Sequence, residues 1–136
     1  TAKAILFILE SELSGKAASL NYATIHLEHI APQRGTPEWR ESLENNELSY
    51  TECISDVGNF TILDEGLNTS TKQAVFSKKQ VEYAKSRSNI TNDLCSIHEW
   101  SPGVIEQRRQ WIGHSLDLIL RTEPQPIQHF SAWLEN

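Results

Sequence analysis

The nine residues Ile25–Gln33, IHLEHIAPQ, constrain this chain more than any other stretch. Ile25, Leu27 and Ile30 make an apolar run that Pro32 stops, because proline cannot donate to a strand ladder. Into that run are set two adjacent ionisable residues, Glu28 and His29. An acid and an imidazole stand side by side at the closing end of an apolar segment. That is where proton-transfer chemistry is commonly built. A structural histidine, hydrogen-bonded after a strand, is the plain alternative.

Around this stretch the chain divides by its punctuation. Ala4, Ile5, Ile8 and Leu9 share one helical face within Ala2–Leu13, and Ser14–Gly15 ends that helix. Leu20–Leu27 alternates loosely and holds Thr24 and Ile25, which predicts the first strand. Thr36-Pro-Glu-Trp starts a short helix, with Thr36 as N-cap, Pro37 at the first turn and Trp39 and Leu43 facing inward. Asn45 to Glu52 is expected to be irregular. Val57–Leu63, GNFTIL with its leading valine, predicts the second strand, with Gly58 permitting a bulge or a close approach. Asn68-Thr-Ser-Thr is rich in N-cap types and predicts a helix to about Ser86, with Val75, Phe76 and Tyr83 inward. A shorter helix is expected over Thr91–His98. Ser101-Pro102 opens the longest one, whose apolar face (Val104, Ile105, Trp111, Ile112, Leu116, Ile119, Leu120) runs to about Arg121. Pro124 and Pro126 break it, and Ile127, Phe130, Trp133 and Leu134 form an amphipathic tail.

These segments describe a mainly helical α+β protein, and 136 residues is the length of one domain. No apolar run approaches the ~20 residues that span a bilayer. Cys53 and Cys95 stand apart without zinc-knuckle spacing, so we expect reduced thiols and a cytoplasmic location. The net charge is −6, but it is unevenly spread. From Glu28 to Gly66 nine acids face two bases, net −7; from Lys72 to Arg87 five bases face one acid, net +4. An acidic region that attracts metal, set beside a basic helix, suits an enzyme acting on nucleic acid. It does not suit tight binding by this domain alone, since Lys and Arg at phosphates supply most non-specific affinity.

The order EHIAPQ, GNFTIL, then LN at Leu67–Asn68, followed by Phe76–Lys79 (F-x-x-K), Tyr83, Ser86, Trp100, Ile105 and Arg108, resembles the C-terminal HNH domain of GmrSD-type restriction endonucleases. The resemblance implies a ββα-metal (HNH, His-Me finger) core over residues 22–86, surrounded by further helices. It implies a DNA endonuclease of restriction or modification-dependent phage defence. It also implies an N-terminal ParB-like, nucleotide-hydrolysing domain elsewhere in a longer protein, and the opening at Thr1 in mid-helix pattern fits that expectation. Carried over residue by residue, His29 is the general base and Asn59 the residue that holds the hairpin so that His29 faces the phosphate. Asn68 is a catalytic residue and metal ligand, and Glu28 a second ligand. Lys72, Lys78, Lys79 and Arg108 are expected to meet DNA. With Asn68 where the HNH name has its last histidine, the implied ion is Mg²⁺, with Mn²⁺ an option and no zinc knuckle.

Two departures stand out: Phe60 replaces the family's usual leucine, and Thr69-Ser-Thr-Lys stands where a Ser-Asn tends to repeat. Other readings stay open. Strand alternation turns Glu28 away from His29. Asn68 serves equally as an N-cap, and the lysines as a solvated helix face. A binding or regulatory module of the same fold, or an RNA-cleaving toxin-like nuclease, uses the same residues.

Overall fold

The computed structural model of this protein describes residues 1–14, 20–44, 49–67 and 72–135. Its described elements are α1 (Ala2–Ser14), β1 (His26–His29), α2 (Pro37–Leu43), α3 (Tyr50–Ser55), β2 (Phe60–Leu63), α4 (Phe76–Tyr83), α5 (Asn89–Asn92), α6 (Pro102–Ile119) and α7 (Phe130–Leu134). The architecture is mainly helical α+β with one two-stranded antiparallel sheet. No described helix is long and apolar enough to cross a membrane.

Where strong local signals exist, elements form as the sequence predicts. Thr36 Oγ1 accepts the Trp39 N–H at 3.4 Å and starts α2, and Ser101 Oγ accepts the Val104 N–H at 3.2 Å and starts α6. Elsewhere the boundaries move. The first strand occupies His26–His29 and not Leu20–Leu27, because the Asn21 side chain takes the Ala23 N–H at 2.9 Å and folds residues 22–24 into a turn. The second strand loses Val57–Asn59 to a 3₁₀ turn, whose start is capped by Asp56 Oδ1 on the Gly58 N–H. Part of the stretch expected to be irregular is helical: Ser49 caps α3, which buries Tyr50 and Cys53. In place of one helix over Thr91–His98, α5 begins at Asn89 under the Ser88 cap and passes into a 3₁₀ turn at Asp93–Ser96.

The helix expected from Asn68 to Ser86 is shorter. Residues 68–71 lie outside the described residues, and α4 begins at Phe76 with Val75 as N-cap. Val75 is 38% exposed, unlike its expected inward position. Asn92 Nδ2 donates to the carbonyls of Tyr83 (2.7 Å) and Ser86 (2.8 Å), satisfying the end of the helix and turning the chain.

Four packing choices position the site. Leu6 and Leu9 of α1, Ile62 of β2 and Leu94 are fully enclosed, which seats the sheet against helices. Glu10 of α1 is buried and accepts from Ser88 Oγ (2.8 Å), the Asn89 N–H (3.0 Å) and the Ile90 N–H (3.0 Å), so one carboxylate ties α1 to the start of α5. Asp64 takes Ser86 Oγ and the Arg87 N–H, binding the end of β2 to the chain leaving α4. Gly58 lies so close to α6 that a Cβ there would overlap the Ile105 carbonyl oxygen. Leu120, the last apolar residue predicted for α6, lies past its end and is exposed.

Candidate active site

Strands β1 and β2 pair in the register Glu28–Thr61 and His29–Phe60. Side chains alternate across a strand, so Glu28 and Thr61 share one face while His29 and Phe60 share the other. The contacts follow that division. The His29 and Phe60 rings lie 4.5 Å apart, and Thr61 Oγ1 meets Thr91 Oγ1 at 2.7 Å on the side of α5. Glu28 turns to α4, where its Oε2 accepts from Lys79 Nζ (3.2 Å) and Tyr83 Oη (3.0 Å). The expected opposition of Glu28 and His29 is therefore present in the strand, yet both border a single cleft. That cleft, about 390 Å³, is also lined by Leu27, Pro32, Arg34 and Lys72.

Asn59 holds the chain that leaves β1 along the cleft. It is fully buried, and its Oδ1 accepts from the Ala31 N–H (2.9 Å) and Trp100 Nε1 (3.0 Å). Its Nδ2 donates to the carbonyls of Ala31 (2.9 Å) and Ile54 (3.3 Å). The Ile30 N–H donates to the Asn59 carbonyl at 2.9 Å. One side chain thus clips the strand just past His29. On the far side Tyr50 Oη donates to the Pro32 carbonyl, and burial pushes that phenol up to about 12, so it stays a donor. The chain from Ile30 to Pro32 is held at every residue.

His29 itself is half-buried, and among the described residues neither ring nitrogen makes a hydrogen bond. Burial lowers its pKa below the usual 6.5; the Glu28 carboxylate opposes that shift and the Lys79 ammonium adds to it. Burial thus favours the neutral imidazole, the form that can accept a proton.

Lys79 and Arg108 correct the expectation that they meet DNA. Lys79 is 1% exposed and donates to the His29 carbonyl (2.9 Å) as well as to Glu28. Burial pushes its ammonium pKa down, while Glu28 opposes the shift. Arg108 is 1% exposed, donates to the carbonyls of Gly58 (3.0 Å) and Phe60, and lies 5.8 Å from the Trp111 ring centroid and 6.0 Å from that of Trp100. Neither cation has surface left for a phosphate. Both occupy inward positions of their helices: Lys79 is three residues past Phe76 and four before Tyr83, and Arg108 is three from Ile105 and from Trp111. That spacing was the available signal.

Lys72 and Lys78 are exposed, and Lys72 lines the cleft while Lys78 does not. Among the described residues Lys72, Lys78 and Arg34 enter no ion pair, whereas Arg40, Lys85, Arg87, Arg109 and Arg121 all do. Arg34, which sequence reasoning passed over, thus joins Lys72 as a cation facing the site. Asn68 lies outside the described residues. Among the described residues no three His, Cys, Asp or Glu side chains come together to hold a metal ion, and Glu28 Oε1 is an acceptor that no hydrogen bond occupies.

No curated protein and no solved structure matches the chain. The family model of the GmrSD restriction endonucleases, C-terminal domain, matches residues 1–114, more than four-fifths of the chain and all of the hairpin, the cleft and α4. On that match the chain belongs to the C-terminal domain family of the GmrSD restriction endonucleases.

Proposed function

We propose that this domain hydrolyses phosphodiester bonds of DNA with the help of a divalent cation, as the cutting module of a restriction or phage-defence protein. The observation that carries the reading is a half-buried His29 on a clamped strand end, bordering a cleft that is also lined by Arg34 and Lys72, two cations without ion pairs among the described residues. In this reading β1, β2 and α4 are the ββα-metal (HNH) core. His29 takes the proton from the attacking water. Asn59 holds the backbone that aims it, and Arg34 and Lys72 meet the non-bridging phosphate oxygens.

The donor set fits a hard ion that keeps most of its water, such as Mg²⁺ or Mn²⁺, which needs one or two protein oxygens beside those of the substrate phosphate. Among the described residues no His, Cys, Asp and Glu cluster offers the three or four protein ligands of a zinc site. Glu28 Oε1 is the described oxygen open to such an ion. Asn68 is proposed as the other ligand on the family resemblance alone. When bound, the ion supplies positive charge for the developing oxyanion and the leaving 3′-oxygen. With few free cations among the described residues, DNA is in this reading delivered mainly by another part of the same protein, for which an N-terminal nucleotide-hydrolysing domain is our candidate.

The test is nicking of supercoiled plasmid by the purified domain with Mg²⁺, Mn²⁺ or EDTA, beside His29→Ala. We expect metal-dependent nicking that falls ~10²–10⁴-fold in a folded His29→Ala protein. Nicking that persists in EDTA, or a folded His29→Ala that nicks like the parent, overturns the reading.

A further inference from the structure

Lys79 is an enclosed cation at the His29 end of the hairpin, and packing by itself gives no reason for its charge. Its side chain is 1% exposed, between Phe76 and Tyr83 on the inward face of α4. A methionine would fill much the same volume without taking an ammonium out of water. What the ammonium alone provides is a pair of directed hydrogen bonds, to the His29 carbonyl at 2.9 Å and to Glu28 Oε2 at 3.2 Å.

The first of these bonds is unusual in its place. Ile30 donates its N–H inward to Asn59 at 2.9 Å. In an antiparallel ladder the backbone groups of successive residues point alternately toward the partner strand and away from it. The His29 carbonyl therefore faces the open edge of β1, where edge groups ordinarily meet water. Here a buried ammonium meets it instead. Tyr83 Oη, one helical turn further along α4, donates to the same Glu28 oxygen at 3.0 Å and so holds the lysine's second partner.

We propose that Lys79 is a positioning residue for His29. Together with Tyr83 and Glu28 it clasps α4 to the end of β1 and sets the backbone from which the imidazole enters the cleft. Asn59 grips Ala31, so the successive peptide units that follow His29 are fixed by two independent devices. Displacing a catalytic group by about 1 Å can lower a rate on the order of 10²-fold, and that is the effect the clasp prevents. The kinetic part of the proposal rests on the nuclease reading; the structural part does not.

The experiment is Lys79→Met in the 136-residue chain, read by plasmid nicking and by NMR of the His29 ring, whose signals are assigned by their loss in His29→Ala. We expect kcat to fall ~10²-fold with KM within about twofold, and the single sharp set of His29 ring signals to broaden or double. A kcat within about threefold of the parent, a loss confined to KM, or unchanged His29 signals overturns the proposal. If Lys79→Met does not melt cooperatively, the parent protein decides. Its Lys79 ammonium protons should exchange slowly and show scalar coupling to the His29 carbonyl carbon. Exchange as fast as that of surface lysines overturns the clasp. If the parent nicks nothing with Mg²⁺ or Mn²⁺, the nuclease reading fails, and the NMR result alone decides for or against positioning.

Discussion

Replacing Asn59 by alanine isolates the contribution of the clip beneath the site. The side chain makes four hydrogen bonds in a fully buried position, so truncation strands the Ala31 N–H, the Trp100 indole N–H and the carbonyls of Ala31 and Ile54. A buried donor or acceptor left without a partner costs ~1–3 kcal/mol. The two N–H groups carry most of the loss, because each has a single proton to place. The carbonyls lose less, and a water entering the vacated space recovers part of it. Together these give a destabilisation of about 3–5 kcal/mol, a large part of the ~5–15 kcal/mol that holds a domain together. For a domain of this length each kcal/mol lowers Tm by roughly 3–5 °C, so the fall should be about 10–20 °C.

Urea unfolding followed by tryptophan fluorescence measures this directly: the midpoint should drop while the m-value stays constant. Asn59→Asp tests the geometry without removing volume. It keeps both accepted bonds but turns a second oxygen toward the carbonyls of Ala31 and Ile54, so it should be at least as damaging at pH 7. Acid, by protonating that oxygen into a donor, should relieve it in part. An Asn59→Ala protein within about 1 kcal/mol of the parent, or a neutral Asn59→Asp, refutes the reasoning.

Three further outcomes are expected. Gly58→Ala forces α6 away from the 3₁₀ turn, since the added carbon meets backbone and not a flexible side chain, and should destabilise by at least ~3 kcal/mol in the same unfolding assay. His29 has a folded pKa below its unfolded value, so its contribution to stability is complete above about pH 6.5 and is lost as pH falls through the folded value. Urea midpoints of the parent should therefore drop more between pH 8 and pH 5 than those of His29→Gln, and equal drops would contradict the burial of the ring. Lys72→Ala and Lys78→Ala should each reduce the log–log salt slope of duplex binding by up to about 0.9, irrespective of sequence. The Lys72 change should also raise KM for nicking, and salt titrations of both proteins against the parent would expose a merely solvated lysine.

Much of the site was legible in the residues because it depends on local chemistry. Pro32 closes the apolar run after His29, and Thr36 and Ser101 cap the helices that follow them; each acts on backbone within a few positions of itself. Gly58 announces a close approach by lacking a side chain, though not which element approaches. The order of EHIAPQ, GNFTIL and LN was enough to point to the family.

Tertiary structure decided the rest. Sequence counts Lys79 and Arg108 among the basic charges of a would-be binding face, but a charge has no direction until the helix that carries it is docked. Docked, α4 sends Lys79 to Glu28 and the His29 carbonyl, and α6 sends Arg108 among aromatic rings and under the carbonyls of Gly58 and Phe60. The strand ends moved for a similar reason. The preference of Thr24 and Ile25 for extended structure is weaker than the Asn21 turn, and which four residues of β1 pair with β2 is settled by partners 31 to 37 residues away. Arg34 had no motif to announce it. It became a candidate only when folding paired most of the described arginines with acids and left this one beside His29. Side-chain chemistry is written in the chain, while the neighbour each charge acquires is set by long-range packing.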